Sequence, residues 1–218
     1  MYLDTTILSS YWYEGADVLS IGRRITTRDW WDNERSRFSL WASSVTEDEL
    51  GAGNYPRQAE ALAMAQRLKF LPMLISARAF AEWLIQRHVV PESKPGDALQ
   101  MAIAVAHRMD YLLTWNYAHL ANPVAQSQLK PPVGKRISAL RYWCPLRRSP
   151  EPLWAKRSGG NEMAIRDENV DAVRDTRQSL CLKFGGLRGW FRHLQQRDRR
   201  RNARTAAERR RRQSVAGK

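Results

Sequence analysis

Short apolar runs alternate with segments of helical period through the first half of this chain, and that alternation constrains the fold more than any other feature. Residues 2–7, with β-branched Thr5, Thr6 and Ile7, predict a first strand with Asp4 at its C-terminal end. Residues 17–36 are amphipathic at helical spacing, 38–42 read as a strand, and 45–50, which contain Glu49, as a short helix closed by Gly51 and Gly53. An Ala-rich helix over 56–68, an apolar strand over 70–75 and a helix over 77–88 follow. Pro95 and Gly96 then put Asp97 at a helix N-terminus. Ala98, Met101, Ala102, Val105, Ala106 and Met109 give that helix a face of mostly small residues, suited to close packing on a sheet. Residues 111–114 are an apolar strand, and Asn116 sits just past its end. Strands joined by helices of this length predict a parallel α/β sheet, whose ligands bind outside the carboxyl ends of the strands. Asp4 and Asn116 should converge there.

Charge divides the chain differently. Residues 1–123 hold 12 basic and 14 acidic side chains, whereas 124–162 hold 8 against 2 and 163–218 hold 16 against 6, so the net charge of +14 belongs to the C-terminal half. Residues 124–148 are basic and Pro-rich, and Ser158, Gly159 and Gly160 mark a flexible linker over 157–162. Within 163–196, Val170, Val173, Arg177, Leu180 and Phe184 share one helical face and Leu187, Trp190, Phe191 and Leu194 a second, with Gly185 and Gly186 as a hinge between them. Two helices this short cannot enclose a core, so their apolar faces need a partner surface. Residues 197–218, with Arg199 to Arg201 and Arg209 to Arg212, have too few apolar residues to offset ordering entropy and read as a disordered basic arm. Such an arm is a solvated tail, a ligand for an acidic partner or a binder of nucleic-acid phosphates.

Two cysteines, Cys144 and Cys181, make neither a disulfide framework nor a zinc motif, which fits a reducing cytoplasm. No apolar run approaches the ~20 residues of a membrane span, and the acidic residue at position 4 is unlike a signal peptide. Neither secretion nor a membrane is expected.

Asp4, Glu49 and Asp97 taken singly read as a turn former, a surface helix residue and an N-cap. Brought together, three carboxylates make a site whose repulsion is relieved by a hard divalent cation such as Mg²⁺ or Mn²⁺. Such an ion lowers the pKa of a bound water and neutralises a scissile phosphate, which is the chemistry of phosphodiester hydrolysis.

The ordered set YLDTTILS, TEDELGAG, GDALQMAIAVAHRMDYLL and TWNYAHLANP, with 45, 48 and 19 positions between Asp4, Glu49, Asp97 and Asn116, resembles the PIN domain. It is most similar to the VapC-type ribonuclease toxins of prokaryotic type II toxin-antitoxin modules. The resemblance covers residues 1–123, diverges over 124–148 and returns at 149–154, which resemble the element closing such domains. It implies a three-layer PIN-like fold over residues 1–156 around a mostly parallel sheet, with RNA as substrate, Mg²⁺ or Mn²⁺ as cofactor and a PIN dimer. Asp4, Glu49 and Asp97 match the metal-binding acids, and Asn116 stands where many PIN domains carry a fourth acid. An amide there holds a water but adds no charge, so one well-bound metal is expected, with a second only alongside substrate. Thr5, Thr6 and Thr114 flank these positions.

From Met163 onward the chain resembles the short helical antitoxins encoded beside PIN toxins. That implies an antitoxin-like segment acting in cis, or a separate antitoxin, with an Arg from the basic tail entering the acidic site in place of metal. A short tether raises the effective concentration of such an inhibitor towards mM. The competing readings are a catalytically degenerate PIN domain that binds nucleic acid through the basic arm, and an interaction protein whose tail holds an acidic partner. His107 and His119 read as packing residues, and the pair Trp30 and Trp31 as core or as a stacking surface for bases.

Overall fold

A computed structural model describes residues 1–116, 120, 141–143 and 168–216. His119, most of the basic Pro-rich stretch, the element at 149–154 and the linker at 157–162 lie outside the described residues.

Five short strands, β1 (Tyr2–Leu3), β2 (Trp41–Ser43), β3 (Lys69–Leu71), β4 (Tyr111–Leu113) and β5 (Arg141–Trp143), form one sheet in the order β3-β2-β1-β4-β5. Every neighbouring pair is parallel, with Tyr2 opposite Trp41 on one side and Leu112 on the other. The chain therefore winds outward from β1 to β3 and then crosses back to β4 on the far side of β1. Winding reverses between β1 and β4, the switch point beyond whose strand carboxyl ends open α/β sheets bind ligands. Asp4 and Asn116 flank it.

The helices are α1 (Thr5–Trp12), α2 (Val18–Asn33), α3 (Ser44–Ala52), α4 (Gln58–Gln66), α5 (Ile75–Gln86), α6 (Pro95–Ala106), α7 (Glu168–Lys183) and α8 (Leu187–Ala216). Successive strand residues point to opposite faces, and both faces are covered. Tyr2 and Leu112 enter one apolar cluster with Ala77, Ala81 and Leu84 of α5 and Leu99 and Ile103 of α6. Leu3 and Leu113 enter the other, with Ile7 and Leu8 of α1, Trp30 and Trp31 of α2 and Ala61 and Ala65 of α4. The architecture is three layers, α/β/α. Among the described residues no helix is long and apolar enough to cross a membrane.

Three local expectations are corrected. Residues 5–7 are helical, because the Asp4 carboxylate caps α1 by accepting from the Thr6 amide while the Asp4 amide extends the ladder to the Leu113 carbonyl (3.0 Å). β-branched propensity yields to that capped turn. The strand expected over 70–75 is β3, Lys69–Leu71, and Ile75 already opens α5. The basic arm is helical as well: α8 continues through it to Ala216. Ala203, Ala206, Ala207 and the arginines are strong helix formers, and Glu208 stands four residues before Arg212 in the favourable orientation. That local preference adds to the balance of entropy and burial on which a disordered arm was expected.

The hinge falls where the sequence places it. Gly185 (φ 70°) and Gly186 (φ 92°) adopt the left-handed conformation, and the Gly186 amide bonds back to the Cys181 carbonyl (2.8 Å), ending α7. Trp190, Phe191 and Leu194 of α8 are buried in the cluster of α5 and α6, so the body of the protein supplies the partner surface that the helical pair lacks.

Candidate active site

Each site residue is delivered by a different element at the carboxyl edge of the sheet. Asp4 leaves β1, Asn116 follows β4, Glu49 comes from the last turns of α3, and Asp97 sits in the first turn of α6 behind Pro95. All four are buried.

Hydroxyls fix the Asp4 carboxylate. Thr114 Oγ1 (2.8 Å) and Thr6 Oγ1 (2.5 Å) both donate to Asp4 Oδ2, and the Thr6 and Thr114 oxygens in turn accept the amides of Trp115 and Asn116. Glu49 Oε2 accepts from the Thr5 hydroxyl and from Gln100 Nε2 (3.0 Å). Gln100, one turn beyond Asp97 on α6, takes the Tyr2 hydroxyl on its own carbonyl. Asn116 Nδ2 donates to Asp97 Oδ2 (3.2 Å). The four residues expected from the sequence thus meet in one bonded cluster.

The counter-charge comes from α7. Arg177, only 2% exposed, reaches all three acids with different nitrogens of its fork. One terminal nitrogen donates to Asp4 Oδ1, the other to Asp97 Oδ1 (2.6 Å), and Nε lies 2.9 Å from Glu49 Oε1 as a charge contact without hydrogen-bond alignment. Arg174, one turn earlier, donates to Asn116 Oδ1 (2.7 Å). The stem of Arg177 crosses the first turn of α6 at Gly96, where an added Cβ would come within 2.8 Å of the Arg177 Cβ. Glycine is required there for the close approach of the two helices.

Burial governs the electrostatics. It pushes the Glu49 carboxyl up to about 7, with Arg177 opposing and Asp4 adding to the shift. For Arg177 burial acts downward, but Asp4, Glu49 and Asp97 outweigh it and hold the guanidinium well above its ordinary value.

As a donor set, three carboxylates and an amide carbonyl suit a hard divalent cation. Their spacing here is that of a guanidinium, because each carboxylate faces a different nitrogen of a planar fork rather than a common point. Among the described residues no group of three His, Cys, Asp or Glu side chains is arranged as ligands of one metal ion. Asp4, Glu49 and Asp97 fit a metal in chemistry, and Arg177 stands in the position of positive charge.

The other sequence candidates resolve differently. His107 Nε2 lies 2.8 Å from the Pro72 carbonyl, away from the acids, and Trp30 and Trp31 are core residues. Gln100 and Arg174 were missed by the sequence reading. The arginine expected to enter the site from the basic tail is instead Arg177 of α7, while Arg197 and Arg201 of the tail pair with Glu47. An arginine in an apolar stripe is itself the signal that a buried carboxylate awaits it. Comparison with family models, curated proteins and solved structures returns no match for this chain.

Proposed function

We infer that this chain is a metal-dependent endoribonuclease of the PIN-domain, VapC type, held inactive by its own C-terminal helical pair. The observation that carries the reading is the convergence of Asp4, Glu49 and Asp97, from three separate elements, on a single buried cation. Fully buried carboxylates of like charge are costly, and a fold that keeps three of them together at a sheet switch point has kept a cation site. In the active state Asp4, Glu49 and Asp97 hold Mg²⁺ or Mn²⁺. That ion supplies Lewis acidity and positive charge for a scissile phosphate. Thr6, Thr114 and Gln100 orient the carboxylates, and Asn116 contributes a carbonyl without adding charge. Withdrawal of α7 is the step that opens the site, since Arg177 and a divalent cation compete for the same oxygens.

The test is RNA cleavage by the full chain carrying Arg177→Ala, with Mg²⁺ or Mn²⁺ and with chelator, and with added Asp4→Ala as the contamination control. Metal-dependent cleavage well above that of the unmodified chain, lost on adding Asp4→Ala, is expected. A folded Arg177→Ala protein that binds Mg²⁺ and leaves RNA intact favours the second reading, a degenerate PIN domain that binds nucleic acid, which the exposed arginines of α8 support.

A further inference from the structure

Three consecutive acids of α3 hold both C-terminal helices. Glu49 faces Arg177 of α7, while Glu47 and Asp48 face α8. Arg197 lies 2.7 Å from Glu47 Oε2 and also pairs with Asp48, and Arg201 pairs with Glu47. Trp190 Nε1 donates to Asp48 Oδ2 (3.1 Å), and His193 Nε2 is 3.4 Å from the same oxygen. Asp198 is buried, accepting from the Ser44 hydroxyl and from the Met73 amide (2.7 Å), and the Arg201 guanidinium covers the Phe70 ring at 3.7 Å. Docking of α8 ends at this point.

From residue 202 to residue 213 every side chain is exposed, about 18 Å of helix at 1.5 Å per residue. Arg199, Arg200, Arg204, Arg209, Arg210 and Arg212 are all exposed and make no ion pair with any described residue. Arg200 with Arg204 and Arg209 with Arg212 are like charges at helical neighbour spacing, which repel. The acids of the body nearest this helix are already taken by Arg197 and Arg201. Arg197, Arg201 and Arg204 follow one another on successive turns of one face, so the free guanidiniums are continuous with the latch. Phe184, just past the end of α7, stacks on His193 of α8 at 4.2 Å between centroids, tying the two helices into one unit across the glycine hinge.

We propose that the Arg-rich half of α8 is a docking surface for the phosphodiester backbone of RNA, and that RNA seated there displaces Glu47 and Asp48 from Arg197 and Arg201, lifting α8 together with α7 and Arg177. Charge complementarity selects a flexible polyanion, and the choice of RNA rests on the ribonuclease reading above. The latch arginines are 30% exposed and their partners Glu47 and Asp48 10% and 6%, so the guanidiniums are reachable from solvent, and a phosphate chain offers them replacement charge-assisted bonds as the carboxylates return to water. The substrate would then open its own site.

The experiment uses the full chain, chelator and a single-stranded 2′-O-methyl oligoribonucleotide, which resists cleavage. Binding should weaken with a slope of log affinity against log salt of about −3 to −4, as for about five phosphate contacts on a single strand. Amide hydrogen exchange over 169–181 should accelerate at least about tenfold when the RNA is bound. Arg204→Glu, Arg209→Glu and Arg210→Glu together should remove both effects and leave thermal stability unchanged. RNA binding without faster exchange in α7, binding indifferent to the three substitutions, or tighter binding of duplex DNA or poly-glutamate would each overturn the proposal. Because the oligonucleotide is not cut, these outcomes are independent of catalysis. An exchange response alongside an inert Arg177→Ala protein would remove the nuclease reading alone.

Discussion

Arg177 and the arginines of distal α8 belong to the same C-terminal segment and carry the same charge, yet their surroundings are opposite. Arg177 is buried with three carboxylates around its fork, whereas Arg204, Arg209, Arg210 and Arg212 stand in water. The difference teaches that the net basicity of this segment is two separate features. One guanidinium completes an internal site, and a group of them faces outward. A buried ion pair is weak evidence of stabilisation compared with an apolar packing of the same volume, but removing one member leaves uncompensated charge. The inner arginine should therefore be energetically critical and the outer ones nearly silent in the isolated protein.

Arg177→Ala tests the inner half of that contrast most severely. At neutral pH in chelator it should lower unfolding free energy by about 3–5 kcal/mol, because Asp4, Glu49 and Asp97 remain buried without a cation. Urea unfolding with added Mg²⁺ should recover part of the loss in the variant and none in the unmodified chain, since ligand stabilisation requires a vacant site. Equal Mg²⁺ responses in the two proteins would break the claim that Arg177 and metal share one position.

Glu49 sharpens the comparison through pH. Its carboxyl is raised from the unfolded value of 4.5 to about 7, so between those values the native state holds a proton that the unfolded chain has released. The contribution is complete below the unfolded value and lost as pH rises through 7, a fall of at most about 3 kcal/mol. Glu49→Gln should flatten the stability profile between pH 5 and 8, read from urea midpoints at successive pH values. An unchanged slope would move the titrating group elsewhere.

The smallest effect lies outside. Arg204→Ala should change unfolding free energy by less than about 0.5 kcal/mol in calorimetry or urea, as for exposed side chains without partners. A larger loss would mean that distal α8 is held by a contact absent from its exposed surface.

The site was unevenly legible before folding. Asp4, Asp97 and Asn116 were readable because each stands at a strand end or a helix start, positions that local pattern marks. Glu49 was readable only through the family resemblance, since its helix has no feature that distinguishes it from the adjacent Glu47 and Asp48. Gln100 was invisible, because a polar residue within the Ala-rich face of α6 acquires meaning only when Tyr2, Thr5 and Glu49 arrive around it. The helical state of residues 197–216 follows from the helix propensity of its alanines and arginines, a local term that burial does not report.

The sequence by itself determined the α/β alternation, the parallel connections it demands, the start of α6 at Pro95 and the hinge at Gly185 and Gly186. These follow from spacing and backbone preference over a few residues. The tertiary structure alone decided that Arg177 enters the acidic site, that Gly96 makes room for it, and that Glu47 and Asp48 serve α8 while Glu49 serves α7. Periodicity tells which face of α7 is buried, but Arg177 and Asp4 lie 173 positions apart, and only packing in three dimensions selects which buried charges share one dielectric cavity.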